Sequence, residues 1–331
     1  MLDKITIIGS GSWATALVKI FTESGVSVLW HVRNEETADL LNSTGHNPRY
    51  LSSVDLNRSL IFATTNTVEV IRDSELVIFA MPSAYLKATV KKFDKNLLKE
   101  IPVAVSIKSF VPGTSSTPSN FIRKYFQRGV HDVMVLGGPC HAEEIATEKY
   151  TYLTMAGNDP VLVQQIADRL SSCPYIKPVA NTDPTGQEYA SILKNVIAIA
   201  TGIAAGLLYG DNFQSVLVSN AMREAAGFIE AVAPGSPDFY RSAYFGDLLV
   251  TAYSDFSRNR TLGKLIGRGL AASKAIQAME MVAEGFYASK ELAPLLKKVR
   301  LNTPVLNAVY RILHQHANPF NEFRLLKEQL L

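Results

Sequence analysis

The first 30 residues contain a glycine-rich turn between a strand and a helix, and this turn constrains the fold more than any other feature of the chain. Residues 4–8 are β-branched and apolar, which predicts a buried strand. Gly9-Ser10-Gly11-Ser12-Trp13-Ala14 follows, then a helical pattern, then a second strand at residues 26–30. In this setting G-x-G-x-x-A is typical of a dinucleotide-binding unit, in which the helix N-terminus faces a pyrophosphate. A strand–helix turn that binds no ligand is the alternative.

The alternation of strands and helices continues through the first half. Strands are predicted at residues 75–80, 103–108, 133–136, 150–156 and 175–180. This pattern predicts an α/β fold with a doubly wound sheet over residues 1–182, whose ligands lie beyond the carboxyl ends of the strands. Lys108 stands at one such end, where it can face both cofactor and substrate; an ordinary exposed lysine is the alternative.

Helical periodicity dominates the second half, which predicts an all-α domain over residues 183–331. Its most apolar stretch, residues 196–209, carries no charge and follows Lys194 and Asn195 directly. That length suits a buried core helix better than a membrane span. Desolvation lowers the pKa of a lysine, so Lys194 is a candidate for proton exchange. A lysine at a helix end that extends to water is the alternative.

Two more polar groups in the helical half are candidates for a site. Asp247 follows a glycine and precedes an apolar helical run, so it either caps that helix or orients a lysine ammonium. Residues 257–260, Ser-Arg-Asn-Arg, form a compact cluster of hydrogen-bond donors. A guanidinium beside an amide matches the geometry of a phosphate or carboxylate. A basic helix end favoured by the helix dipole is the alternative.

Composition indicates which kinds of ligand and which cellular compartment suit the chain. The net charge of +3 is too small to indicate nucleic-acid binding, yet it would not repel a small anion. The cysteines, Cys140 and Cys173, fit a reducing compartment, and the N-terminal residues lack a secretory pattern, so a cytoplasmic location and no membrane span are expected. The six histidines show no metal-ligand spacing, and no metal is expected.

Nearly end to end, the chain resembles the bacterial NAD(P)-dependent glycerol-3-phosphate dehydrogenases. The most specific matches are residues 9–14, 194–200 with 210–212, and 246–260. The resemblance implies a Rossmann-type domain followed by a C-terminal domain like that of 6-phosphogluconate dehydrogenase, with NAD(P)H as cofactor. It implies interconversion of dihydroxyacetone phosphate and sn-glycerol 3-phosphate, which feeds glycerophospholipid synthesis, and by analogy a homodimer.

The resemblance also implies a role for individual residues. Lys194 matches the proton donor and acceptor. The implied contacts to the phosphorylated substrate are Lys108, Gly138, Cys140, Asn195, Asp247, Ser257, Arg258 and Asn259. The cofactor contacts, which include the turn glycines, are Gly9, Gly11, Ser12, Trp13, Arg33, Lys108, Ala142, Arg258, Val282 and Glu284. Cys140 replaces the hydroxyl residue usual in the family.

Residues at the end of the second strand bear on the choice between NAD and NADP. No acidic residue stands at the tip of that strand, where one would bind a ribose 2′-hydroxyl. Arg33 can instead pair with a 2′-phosphate or stack on adenine, so NADPH is permitted. A solvated surface charge is the alternative interpretation of Arg33.

Two other functions fit part of the sequence. A β-hydroxyacid or ketopantoate-type dehydrogenase also pairs a nucleotide fold with a helical domain that carries a lysine. Its carboxylate substrate does not need residues 257–259 in addition to Lys108. A nucleotide-binding sensor would keep the glycine loop but lose Lys194, Asp247 and Arg258, all of which are present.

Overall fold

The computed structural model describes residues 2–129, 132–235, 238–279 and 281–331. The chain divides into two compact units. The sheet unit comprises Met1–Ile107 and Pro118–Pro184, and the helical unit comprises Lys108–Thr117 and Thr185–Leu331. The predicted division after residue 182 stays a prediction; the compact units place residues 108–117 with the helices and end the sheet unit at Pro184. These residues group with the helices because Phe110, 1% exposed, is part of the helical core, where its ring contacts Tyr189.

The sheet unit contains one eight-stranded sheet in the order β3-β2-β1-β4-β5-β6-β7-β8. The strands are β1 (Lys4–Ile8), β2 (Ser27–His31), β3 (Ile61–Thr64), β4 (Val77–Phe79), β5 (Val103–Val105), β6 (Val133–Gly137), β7 (Thr151–Ala156) and β8 (Ile176–Asn181). All neighbouring strands pair in parallel except β6 with β7. The predicted doubly wound sheet is confirmed; β3 was not predicted, because this short strand has an exposed phenylalanine, Phe62, among its four residues.

Helices connect the strands of the sheet unit. They are α1 (Ser12–Glu23), α2 (Glu35–Thr44), α3 (Ser83–Val90), α4 (Pro118–Tyr125), α5 (Ala142–Ala146) and α6 (Pro160–Leu170). The turn between β1 and α1 requires Gly9, whose φ is +132°. A Cβ at Gly9 would lie 2.0 Å from the carbonyl oxygen of Ala80. The first glycine of the motif is therefore fixed by backbone packing as well as by its dihedral angle.

The described helical unit contains a π-helix, Ser242–Gly246, and eight α-helices. The α-helices are α7 (Pro184–Gly206), α8 (Asp211–Val232), α9 (Asp247–Tyr253), α10 (Arg258–Gly267), α11 (Ala272–Gln277), α12 (Glu284–Val299), α13 (Pro304–His314) and α14 (Pro319–Leu326). Helix α7 is long and apolar enough to cross a membrane, but 83% of its most apolar window is buried inside the protein. The core helix of a globular domain passes the same test, so α7 is only weak evidence for a membrane segment.

Helices α7 and α10 cross in backbone contact at two glycine pairs, Gly202 with Gly263 and Gly206 with Gly267. A Cβ built at Gly202 would lie 2.2 Å from the carbonyl oxygen of Arg260. At each of the other three glycines, a Cβ would approach a carbonyl oxygen of the facing helix to within 2.6 Å. Since no side chain fits between the two backbones, these glycines fix the position of α10 against α7.

We predict that Gly202→Ala destabilises the helical unit by about 1–3 kcal/mol, the usual cost of overpacking a filled contact. Gly227→Ala in α8 is the matched control, because its Cβ would have Leu301 Cδ1 at 3.9 Å as its nearest neighbour. In that open position alanine favours the helix by roughly 0.5–1 kcal/mol. Thermal unfolding of the two variants measures both effects. Equal midpoints would contradict the close crossing.

Candidate active site

Lys194 lies inside α7, well away from both ends of the helix, and is only 4% exposed. Its ammonium donates a hydrogen bond to Oδ1 of Asp247. The alternative of a helix-end lysine that extends to water is therefore wrong, because α7 begins ten residues earlier, at Pro184. Such a buried cation requires a partner, and the Asp247 carboxylate supplies it.

Asp247 is the first residue of α9 and follows directly on the π-helix. Gly246 occupies the N-cap position and no side chain of the described residues caps the helix, so the predicted capping role of Asp247 is wrong. The carboxylate instead faces two lysines. Its Oδ2 lies 3.9 Å from Nζ of Lys108 and accepts no hydrogen bond from the described residues. Two ammonium groups thus flank one carboxylate that is 1% exposed, which leaves a net positive charge suited to an anionic ligand.

A chain of amide hydrogen bonds connects the residues around these charges. Asn195 Nδ2 donates to the carbonyl oxygen of Lys108 at 2.7 Å, and Asn259 Nδ2 donates to Asn195 Oδ1 at 3.0 Å. The backbone N–H of Gly285 donates to Asn259 Oδ1 at 2.8 Å. The N–H of Gly285 can only donate, so the Asn259 oxygen must face it. The nitrogen of Asn259 then faces the Asn195 oxygen, and the nitrogen of Asn195 faces the Lys108 carbonyl. Asn195 and Asn259, both predicted as substrate contacts, therefore bind the backbone of Lys108 and of the first turn of α12.

The cluster at residues 257–260 forms the N-terminus of α10. Ser257 is its N-cap, with Oγ accepting from the backbone N–H of Arg260 at 3.3 Å. The Arg260 guanidinium pairs with Asp255 at 2.9 Å. Arg258 is exposed at the first helical position and forms no ion pair within the described parts of the chain. The alternative of a basic helix end favoured by the dipole is wrong, because a helix N-terminus favours anions.

The other predicted contacts in this unit lie where α12 begins. Glu284 is the first residue of α12, and its carbonyl oxygen accepts a hydrogen bond from Ser109 Oγ at 3.4 Å. Val282, two residues before α12, is partly exposed at 37%. The structure thus brings α12 next to the segment that carries Lys108. The cofactor roles of Val282 and Glu284 stay predictions.

The glycine loop of the sheet unit leaves space at the N-terminus of α1. A Cβ at Gly11 would meet no atom of the described residues within 4 Å, so their packing does not require a glycine there. No side chain from the described residues caps α1. Open space beside uncapped N–H groups is what a pyrophosphate needs, so the loop fits a dinucleotide. Ser12 begins the helix, and Trp13 next to it is fixed by a 2.7 Å hydrogen bond from Nε1 to Ser106 Oγ.

Arg33 lies beside this loop, with its guanidinium 5.5 Å from the centre of the Tyr85 ring. It lines a small cavity together with Ser10, Asn34, Thr37, Asn47, Arg49 and Tyr50. Arg49 and Asn47 were not predicted as site residues. The buried Asn47 amide donates to Ser10 O at 3.2 Å, and its Oδ1 accepts from the backbone of Arg49 and Tyr50. The only sequence signal for a site here is the stretch Asn47-Pro48-Arg49, which resembles any polar turn.

Three other predicted contacts follow β6 in the sheet unit. Gly138 has φ +112°, in the region that favours glycine. Cys140 is buried in the core of the sheet unit and its thiol donates to the carbonyl oxygen of Gly138 at 3.1 Å. Ala142 begins α5 and is also buried. Packing accounts for the burial of Cys140, and its predicted substrate contact stays a prediction.

Comparisons with known proteins cover both units. Residues 4–163 match the family model described as NAD-dependent glycerol-3-phosphate dehydrogenase N-terminus, and residues 183–323 match the model described as its C-terminus. A glycerol-3-phosphate dehydrogenase (NAD(P)+) from Staphylococcus carnosus (strain TM300) is 32% identical over 327 residues, 98% of each chain. One from Staphylococcus aureus (strain JH9) is 31% identical over 316 residues, 95% of each chain.

A solved structure extends the comparison to the fold. The glycerol-3-phosphate dehydrogenase of Coxiella burnetii superposes with a TM-score of 0.89 at 26% identity, over 98% of this chain and 99% of that one. The predicted resemblance and the α/β-plus-helical fold are confirmed, and a β-hydroxyacid or ketopantoate-type dehydrogenase is not favoured. The chain belongs to the NAD-dependent glycerol-3-phosphate dehydrogenase family.

Proposed function

We propose that this chain interconverts dihydroxyacetone phosphate and sn-glycerol 3-phosphate with NAD(P)H, and that Lys194 is its proton donor and acceptor. The nicotinamide, when bound, supplies or accepts the hydride. One observation carries the catalytic part of the proposal: a buried lysine paired with a carboxylate that faces a second lysine. All three groups belong to the helical unit, as does the N-terminus of α10.

The charged cluster of Lys194, Asp247 and Lys108 would carry out proton transfer. As a carbonyl is reduced, negative charge grows on its oxygen, and an ammonium beside that oxygen stabilises the charge and then donates the proton. We assign this role to Lys194. Asp247 holds the ammonium in place, and Lys108 adds positive potential. The Oδ2 of Asp247, which accepts no hydrogen bond from the described residues, can accept one from a substrate hydroxyl.

The N-terminus of α10 is the proposed site of the substrate phosphate. Arg258, Asn259 and Ser257 stand at the positive end of the helix dipole, which attracts an anion. A guanidinium at this position is electrostatically unfavourable unless an anion accompanies it. The crossing of α7 and α10 fixes this end of α10 against the helix that carries Lys194, so phosphate binding would align the substrate carbonyl.

The sheet unit is the proposed cofactor site. Gly9, Gly11, Ser12 and Trp13 would hold the pyrophosphate region, which fits the open space at the N-terminus of α1. Arg33 and Arg49 line one cavity beside this loop, an arrangement that can pair with a 2′-phosphate, so we propose that NADPH is accepted. The substrate contacts of Gly138 and Cys140 and the cofactor contacts of Ala142, Val282 and Glu284 are further proposals that rest on the family.

The cellular setting is proposed on the same basis. We infer a cytoplasmic enzyme whose product feeds glycerophospholipid synthesis, and which forms a homodimer. Its partner is a small phosphorylated substrate rather than a nucleic acid, in line with the modest net charge of +3.

We predict that Lys194→Ala lowers kcat for dihydroxyacetone phosphate reduction by at least about 100-fold, because the proton donor is lost. Affinity for NADPH should stay nearly unchanged. Oxidation of NADH and of NADPH, each followed by absorbance, measures turnover, and fluorescence titration measures cofactor binding. Lys298→Ala, which removes an exposed lysine of α12, is the control and should behave as wild type. Retained turnover in Lys194→Ala would remove this residue from the mechanism.

We predict that Arg258→Ala weakens the use of dihydroxyacetone phosphate by about 2–5 kcal/mol in kcat/KM if the bound phosphate and the exposed guanidinium form a desolvated pair. Slow turnover of unphosphorylated dihydroxyacetone should change little, because that ketone carries no phosphate. Arg268→Ala at the other end of α10 is the control. A loss confined to cofactor affinity, or an equal loss with both ketones, would contradict a phosphate site at this helix end.

A further inference from the structure

The position of residues 108–117 in the helical unit depends on individual side-chain contacts. The segment follows β5 along the chain and contains no helix or strand, only a single β-bridge between Val111 and Ser116. Lys108, which faces Asp247, is its first residue. The position of this ammonium therefore depends on the contacts that hold the segment on the helices.

Contacts with the helices hold the first half of the segment. The amide of Asn195 holds the carbonyl oxygen of Lys108, and the hydroxyl of Ser109 donates to the carbonyl oxygen of Glu284. The Phe110 side chain is buried in the helical core, next to the Tyr189 ring. These contacts hold residues 108–110, which lead directly into the turn at residues 113–115.

The carboxylate of Glu291 on α12 accepts hydrogen bonds from this turn. Its Oε1 accepts from the backbone N–H of Gly113 at 2.6 Å. Its Oε2 accepts from the backbone N–H of Ser115 at 2.8 Å and from Ser115 Oγ at 3.0 Å. Hydrogen bonds to an ionised acceptor are roughly twice as strong as those between neutral groups.

The backbone of the turn needs this support. Gly113 has φ +71° and Ser115 has φ +46°, and a serine in the left-handed region is strained. Burial by itself raises the pKa of Glu291, but the N–H groups of Gly113 and Ser115 hold that pKa below its ordinary value. The carboxylate is thus ionised at neutral pH, and its bonds to the turn are at full strength.

We propose that Glu291 is a positioning residue for the reaction: by fixing the turn at residues 113–115 on α12, it keeps the Lys108 ammonium in place beside Asp247. This inference rests on the proposed function, because the role of Lys108 is itself part of that proposal. Glu291 touches neither lysine in the described contacts, so its effect must pass through the segment.

The experiment is a double-mutant cycle between Glu291 and Lys108. We expect Glu291→Ala to lower kcat/KM for dihydroxyacetone phosphate roughly 10-fold or more, because misplacement of a catalytic group by about an ångström has a cost of this size. Glu291→Gln, which keeps the shape and one acceptor, should lose less. In a Lys108→Ala background, Glu291→Ala should have almost no further effect, because it acts through Lys108.

Controls separate positioning from stability. Glu230→Ala is the matched control, because the exposed Glu230 carboxylate also accepts a hydrogen bond from the backbone N–H of a turn residue, Gly235, at 3.3 Å. This variant should leave kcat/KM unchanged. Thermal unfolding and NADPH titration of each variant report the folded fraction and the cofactor site. Glu291→Gln serves for the cycle if the alanine variant does not fold.

The outcomes distinguish this inference from the proposed function. Wild-type protein with no activity on dihydroxyacetone phosphate would overturn both. A Lys108→Ala variant with full activity would overturn the role of Lys108 and this inference with it. An active wild type, an impaired Lys108→Ala and an unimpaired Glu291→Ala would overturn this inference alone. Full additivity of the two substitutions, or a loss only in thermal stability, would also overturn it.

Discussion

The ion pair between Lys194 and Asp247 is the interaction on which the rest of the helical unit depends. Both groups are almost fully removed from water, so each must be neutralised by the other. Desolvation of such a pair is costly and is repaid only by good geometry, whereas loss of one partner leaves an uncompensated charge. Lys108 on the other side of the carboxylate makes the cluster cationic. A cationic cluster stabilises the oxygen of a carbonyl as it is reduced.

The architecture around this pair is built to hold backbones at fixed distances. The glycine pairs of α7 and α10 bring the two helices into direct contact. The amide chain from Lys108 through Asn195 and Asn259 to Gly285 ties the same helices to α12. Few of these contacts are strong individually, but together they set the spacing between the proposed proton donor and the proposed phosphate site.

Periodicity and local motifs predicted most of the fold. Runs of β-branched residues marked seven of the eight strands, and the glycine loop marked the nucleotide-binding unit. Contacts between distant residues were beyond such reasoning. Asp247 carries a local signal for a helix cap, but its carboxylate bonds Lys194, 53 residues earlier in the chain. Glu291 looks like a solvated helix charge, and its partner Gly113 lies 178 residues away.

The pH dependence of kcat/KM for dihydroxyacetone phosphate reduction, compared between wild type and Asp247→Asn, tests the central claim most directly. As the proposed proton donor, Lys194 must be protonated for the reduction, so the rate is expected to fall as the pH rises and the ammonium is lost. Without the Asp247 carboxylate, a buried ammonium releases its proton more readily. We predict that the alkaline limb of the profile moves to lower pH in Asp247→Asn. A limb at the same pH in both proteins would contradict it.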